Sequence, residues 1–552
     1  MDIANFLLTL IVVHSFAAFP SATSSKDQIQ NPSIQALLLQ ACINVENQNS
    51  CLTNLQTELK RMPPSDHSTS LIVSAALKTT HNEAKAAIQT ITTSLDALSP
   101  FSYREQIAVE DCKELLDFSV SELAWSLDEM RKIRSGSSNV HHHDGNLKAW
   151  LSAALSNQDT CLEGFEGTDR RLERSMTGSL RQVTQLISNV LGLYTQMHSL
   201  PFKPPRNVTA SATPAKNQSS SEFPSWMTDE DQKLVKSSPR GMHVNAVVAA
   251  DGSGRYRTIT EAINAAPSYS TRRYIIYVKK GVYRENVDMK RKKTNIMLVG
   301  DGIGETVVTG NRNFMQGLTT FRTATVAVSG KGFIARDMTF RNTAGPEKHQ
   351  GVALRVDSDQ SAFYRCSMEG YQDTLYAHSL RQFYRECNIY GTIDFIFGNG
   401  AAVLQNCKIF TRVPLPLQKV TITAQGRKSP HQSTGFSIPD SYVLATQPTY
   451  LGRPWKLYSR TVFINTYMSA LVQPRGWLEW YGNFALGTLW YGEYKNYGPG
   501  ASLSGRVKWP GYHIIRDFAT ASFFSAERFI NAMSWLPATG VKFNFFNAGL
   551  NN

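Results

Sequence analysis

Two kinds of hydrophobic spacing divide the chain. Up to about residue 195, apolar positions recur with the period of an α-helix. Ile34, Leu37, Leu38 and Ala41 fall on one helical face, as do Leu180, Val183, Ile187, Val190, Leu191 and Tyr194. Ile88, Ile91 and Leu95, and then Leu123, Leu127 and Met130, repeat that spacing between them. Each apolar stripe needs another to cover it, so the pattern predicts an all-α four-helix bundle over residues 30–195. From residue 241 to 540 the texture changes. Short β-rich runs such as Tyr274 to Val278, Ile296 to Val299 and Thr325 to Val328 alternate with Gly, Asn and Asp. Cys366, Cys387 and Cys407 close similar strands (FYRC, YREC, LQNC), and each stands two residues before an apolar position: Met368, Ile389 and Ile409. A repeat of about 20 residues with short strands predicts a parallel β-solenoid, one coil per repeat; a β-sandwich is the competing architecture. Residues 196–240 are rich in Pro, Ser, Thr and Asn and predict a flexible linker.

Length and charge refine this picture. The chain has 552 residues and a formal charge of +13. That sign suits nucleic acid, anionic lipid or an acidic polysaccharide, and alone does not choose among them. Residues 1–22 predict a secretory signal peptide. Phe6 to Val13 is an apolar core too short to span a bilayer, and Ala17, Ala18 and Ala22 follow it. The leading segment departs from the usual pattern in carrying Asp2 and no Lys or Arg. Two sequons begin at Asn207 and Asn217 and predict glycosylation. Seven cysteines in an oxidising compartment imply disulfides with one thiol left over. Cys42 and Cys51 would close a local hairpin, and Cys112 and Cys161 would tie two helices together. His141, His142 and His143 invite a metal, but zinc needs spaced, convergent ligands, so the run predicts a solvated loop and no metal site.

The solenoid gives the chemistry its geometry. Residues one coil apart lie on adjacent strands about 4.8 Å apart with side chains pointing the same way. Asp373 and Asp394 have that spacing, as do Gln350 and Gln372. Two carboxylates so close cannot both ionise freely, so one is held protonated. The ionised one can attack an ester carbonyl, and the protonated one can donate to the leaving alcohol and then activate water. Amide N–H groups can hold the oxyanion. No G-x-S-x-G or H-E-x-x-H motif occurs, which leaves serine-hydrolase and zinc-protease chemistry without support.

Five segments in order resemble the plant pectin methylesterases: Gly281 to Glu285 (GVYRE), His349 to Leu354 (HQGVAL), Tyr371 to Leu375 (YQDTL), Asp394 to Gly398 (DFIFG) and Leu451 to Trp455 (LGRPW). Residues 30–195 resemble the inhibitor domain that many members carry as a pro-region. The resemblance implies a right-handed parallel β-helix that hydrolyses the methyl esters of pectin without a cofactor. It implies a secreted, cell-wall enzyme acting as a monomer, with its own pro-region or free inhibitor proteins as partners and no nucleic acid. Asp394 matches the nucleophile, Asp373 the acid and later base, and Gln372 and Gln350 the oxyanion stabilisers. Arg453 would bind Asp394, Trp455 would offer its ring to a sugar, and Thr320 matches a substrate-contacting position. A Cys387–Cys407 bridge is implied by the family's cysteine pairing. Tyr283 and Glu285 of GVYRE read as structural. The solenoid would equally suit a pectate lyase or polygalacturonase, and the non-enzymatic alternative is a pectin-binding or inhibitory protein.

Three departures stand out. Gly351 replaces the alanine of the usual QAVAL. The stretch from Ser437 to Leu451 is short, leaving Cys366 unpaired. The place of a dibasic processing site reads Gln232-Lys233-Leu234-Val235, while Arg170 and Arg171 fall inside the helical region.

Overall fold

A computed structural model describes residues 32–45, 47–61, 69–98, 101–136, 140–198 and 243–544. The expected signal peptide, the sequons at Asn207 and Asn217, the segment around Lys233 and the linker from residue 199 lie outside the described residues.

The helical half contains α1 (Pro32–Ala41), α2 (Gln48–Lys60), α3 (Thr69–Leu98), α4 (Tyr103–Arg134), α5 (Val140–Glu163) and α6 (Arg170–His198). The four long helices pack in a ring, α3 on α4 and α6, and α5 on α4 and α6. Leu180, Val183, Ile187, Val190, Leu191 and Tyr194 are all buried, as their spacing required. Helix α4 starts on a capping box, Ser102 with Glu105, which satisfies two otherwise orphaned N–H groups. Disulfides join Cys42 to Cys51 and Cys112 to Cys161. The histidine run is not a loop. It forms the first turn of α5, and buried His143 places Nδ1 2.8 Å from Glu129 Oε1, which also accepts from Asn146. No cluster able to hold a metal ion occurs among the described residues. Arg170 and Arg171 open α6, with Leu172 after them buried, so this basic pair is part of the folded bundle.

The second half is a parallel β-helix. One face is a seven-stranded sheet whose strands are Val287–Met289, Val326–Val328, Leu354–Val356, Leu375–Ala377, Ile393–Gly398, Val420–Gln425 and Thr449–Gly452, in spatial as well as chain order. The other strands form a continuous sheet that folds round a corner. Strands Ile334–Asn342 and Ser361–Glu369 pass through that corner, pairing on both sides of Asp337 and Arg365. From Asp337 onward, seven successive coils turn there on one left-handed residue: Asp337, Arg365, Glu386, Asn406, Asp440, Asn465 and Lys495 have φ between 47° and 57°. Asn and Asp tolerate that conformation best, which explains part of the Asn/Asp punctuation in the sequence.

Coil spacing puts like on like. Met368 pairs with Ile389 and Ile389 with Ile409. Phe363 stacks on Tyr384 at 4.9 Å, Tyr376 on Phe397 at 4.1 Å and Tyr390 on Phe410 at 4.5 Å. The same column corrects one expectation. Cys366, Cys387 and Cys407 are buried free thiols, so the implied Cys387–Cys407 bridge is absent. In-register stacking points their side chains the same way, and each sulfur lies against backbone carbonyls. Cys387 Sγ is 3.3 Å from Arg385 O, and Cys407 Sγ is 3.6 Å from Tyr384 O. The short stretch before Leu451 still completes a coil, since Gly435–Pro439 and Tyr442–Leu444 continue their ladders on both sides.

The bundle sits on the seven-stranded face. A shared hydrophobic cluster joins Val109, Leu116, Cys161 and Phe165 of the bundle to Phe321, Val352, Tyr376 and Phe397 of the β-helix.

Candidate active site

The seven-stranded face carries a cavity of about 300 Å³. Its β-helix walls include Thr320, Phe321, Gln350, Gln372, Asp373, Tyr376, Asp394, Phe397, Arg453, Trp455 and Trp480. All seven side chains singled out from the sequence for chemistry or substrate contact are therefore together. Successive coils bring them there. Leu375 pairs with Ile396, which sets Asp373 and Asp394 on neighbouring rungs, and Gln350 bridges Gln372 directly.

Local backbone aims the two carboxylates. Asp373 has φ 62° and Asp394 φ 50°, a left-handed conformation that side chains enter at some cost and that clusters at functional sites. The ladder between Ile393–Gly398 and Val420–Gln425 also shifts register between Ile393 and Ile396. That irregularity turns Asp394 out of the ordinary in–out alternation, as bulges beside active sites do.

Asp394 is fully engaged. Arg453 grips it as a fork, Nε to Oδ1 at 2.9 Å and Nη2 to Oδ2 at 2.6 Å, and Thr421 Oγ1 donates to Oδ1 at 2.6 Å. The same threonine oxygen accepts the Asp394 N–H at 3.0 Å. The Arg453 guanidinium carbon lies 4.4 Å from the Trp480 ring centre, a cation–π contact that gives the arginine a second hold. Among the described residues Asp373 has no such anchor. Burial first, and then the Asp394 charge, push its carboxyl well above the usual carboxylate range, and Arg453 offsets only part of this. The two carboxylates are thus placed in opposite environments. Gln350 Oε1 is buried without a hydrogen-bond partner among the described residues, so packing and the backbone bridge hold this amide. A methyl group on Gly351 would come 3.2 Å from Asn342 Oδ1, so glycine leaves slack beside that amide.

Tyr283 and Glu285 are structural here. Tyr283 is buried with its hydroxyl donating to Lys279 O, and Glu285 accepts the first N–H groups of the short helix Ile259–Ala265.

Sequence reasoning missed Thr421 and the other half of the cleft wall. Thr421 is one coil beyond Asp394 only through the shifted ladder, so simple spacing does not find it. The opposite wall belongs to the bundle: Arg104, Thr160, Glu163, Gly164 and Glu166 line the cavity. Thr160 Oγ1 is 2.9 Å from His378 Nε2, Asn399 donates to Ser156, and Arg104 donates to Leu318 O at 3.0 Å. Ion pairs ring the contact, including Lys456–Glu163 at 2.6 Å, Arg322–Glu114 at 2.6 Å and Arg291–Glu122.

Known proteins share both halves. The Pectinesterase family profile matches residues 245–533, and the plant invertase/pectin methylesterase inhibitor profile matches 36–193. Pectinesterase/pectinesterase inhibitor 22 of Arabidopsis thaliana is 62% identical over 563 residues, covering 100% of each chain. Pectinesterase/pectinesterase inhibitor PPE8B of Prunus persica is 50% identical, over 80% of this chain and 83% of its own. The solved pectin methylesterase from carrot superposes with a TM-score of 0.55 at 54% identity, over 56% of this chain and 99% of its own.

Proposed function

The chain belongs to the pectinesterase family, and we propose that it hydrolyses the methyl esters of homogalacturonan with Asp394 as nucleophile and Asp373 as acid and then base. The observation that carries this division is the contrast between the two carboxylates: Arg453 forks onto Asp394, while buried Asp373 is pushed towards its protonated form. The Asp394 carboxylate attacks the ester carbonyl. The oxyanion is held by the amides of Gln372 and Gln350, with no charge brought in that would compete with Arg453. Asp373 gives its proton to the departing methanol, leaving an acyl-Asp394 anhydride. Asp373, now a carboxylate, takes a proton from water, which opens the anhydride and restores both groups. Trp455 and Thr320 position the sugar.

A lyase or glycosidase on the same scaffold would cut the chain. A retaining glycosidase also uses carboxylates about 5–5.5 Å apart, but its nucleophile has no need of paired amides beside it. The test compares the unit from residue 243 onward with its Asp394→Ala variant on highly methylated pectin. Methanol release and alkali uptake by the first alone, with pectin length unchanged, is the expected result. Equal alkali uptake by both ends this mechanism.

The bundle acts as an inhibitor in cis, because its α5 end closes one wall of the cleft. Full-length protein should be much less active than the unit from residue 243. The N-terminal segment directs secretion to the cell wall, with sugars at Asn207 and Asn217, and the released unit acts as a monomer.

A further inference from the structure

Among the described residues, two lysines in the cleft region have their carboxylate partners entirely on the bundle. Lys456 follows Trp455 at the end of the seven-stranded face, with Nζ 5.3 Å from the Trp455 ring centre and 2.6 Å from Glu163 Oε1. The other charges that act on it are Asp159 and Glu166, also from the bundle. Lys428 follows the neighbouring strand Val420–Gln425 and pairs with Asp159 at 2.5 Å. Both side chains are about three-quarters covered while the bundle is docked. Once it leaves, they stand bare on the side of Asp394 towards the C-terminal coils, next to the tryptophan that would hold a sugar ring.

Glu163 is itself in the cavity with Asp373 and Asp394. Asp159 and Glu163 are one turn apart on α5, about 6 Å along its axis, and so present two carboxylates in a row. Acidic residues outnumber basic ones in the bundle although the whole chain carries +13. A linear polymer of uronic acid units presents the same thing, a row of carboxylates along a narrow chain, but only where its methyl esters have already been removed.

We propose that Lys456 and Lys428 are subsites for free carboxylates of galacturonate units lying beside the ester to be cleaved, and that Glu163 and Asp159 occupy them as stand-ins. This rests on the esterase reading and deepens it. The enzyme then binds best where de-esterification has begun, and its product competes for the same two cations that hold the bundle.

The experiment uses the unit from residue 243 onward, since the carrot chain shows such a unit folded without a bundle. Wild type, Lys428→Met/Lys456→Met and Lys428→Arg/Lys456→Arg are compared, with thermal melts confirming that each is folded. Binding of a fully de-esterified octagalacturonide is measured by calorimetry. The methionine pair should bind at least tenfold more weakly, and the arginine pair should recover most of the affinity. Methanol release is then measured on fully methylated and on block-de-esterified pectin. The kcat/KM of the methionine pair should fall at least fivefold more on the second substrate than on the first. Unchanged octagalacturonide binding, or an equal fall on both substrates, overturns the subsites. A wild type that binds the octamer through these lysines but releases no methanol from either pectin refutes the esterase and leaves the subsites standing.

Discussion

Substitution of Arg453 tests the site most directly. Its fork supplies Asp394 with contacts at 2.9, 3.1 and 2.6 Å, and Thr421 supplies one more at 2.6 Å. Arg453→Lys keeps a positive charge but replaces the planar fork with a point donor. The loss is one charge-assisted hydrogen bond, about 1.5–3 kcal/mol. If Asp394 must be held in line with the ester only at the transition state, this lowers kcat by about 10- to 150-fold. Arg453→Met leaves a buried carboxylate uncompensated, about 3–5 kcal/mol, and should lower kcat by roughly 10²- to 10⁴-fold. Methanol release by the unit from residue 243, with kcat and KM separated, is the assay. KM should move by less than about threefold, because the arginine acts on Asp394 rather than on ground-state binding. A lysine variant within twofold of wild type in kcat, or a loss confined to KM, would refute the assignment of Arg453 as the residue that orients the nucleophile.

Other outcomes follow from the same structure. The raised Asp373 carboxyl favours the folded state only while protonated, so its contribution is full below the ordinary carboxylate range and is lost as pH rises towards the raised value. Asp373→Asn should therefore raise Tm at pH 7, lose that advantage near pH 3, and abolish methanol release; calorimetry at both pH values checks the sign. In the docked bundle, burial pushes Glu163 and Glu122 up to about 7 and Asp111 up to about 6, against the partial offsets of Lys456, Arg291 and Arg322. These three carboxyls bind more protons when docked and outnumber buried His378, which burial holds well below the usual imidazole range and which gains a proton when uncovered, so docking should weaken as pH rises from about 5 to 8. With a protease site placed in the linker, gel filtration of cut protein should show the bundle retained at pH 5 and partly lost at pH 8; the reverse order refutes this. Gly398 has φ +121° and a Cβ there would meet Ala377 O at 2.2 Å, so Gly398→Ala should cost at least about 2 kcal/mol, read as a lower denaturant midpoint with little change in slope. Finally, Cys366, Cys387 and Cys407 should be silent to a thiol reagent in native protein and all three should react after unfolding without reductant. A denatured count of one would restore the bridge.

Sequence by itself determined a great deal of this protein, because both halves are periodic. Helical stripes such as Leu180 to Tyr194 announce a bundle, and a coil-length repeat announces a solenoid. In a solenoid, spacing along the chain translates directly into position in space, which is why Asp373 with Asp394 and Gln350 with Gln372 could be paired before any fold was seen. Arg453, Trp455 and Thr320 were legible only through family resemblance, since no periodic rule ties residue 453 to 394. Tertiary structure alone decided the rest. Thr421 reaches Asp394 across a shifted ladder, where counting by coils fails. The three cysteines stand as free buried thiols stacked in one column, each sulfur also against a backbone carbonyl, an arrangement that spacing alone does not distinguish from a bridge. His143 turned from loop to buried helix because Glu129 on another helix was there to receive it. Glu163 and Lys456 are hundreds of residues apart, on opposite sides of a linker. Only the docking of two separately patterned domains brings their charges together, and no local pattern in either half carries that information.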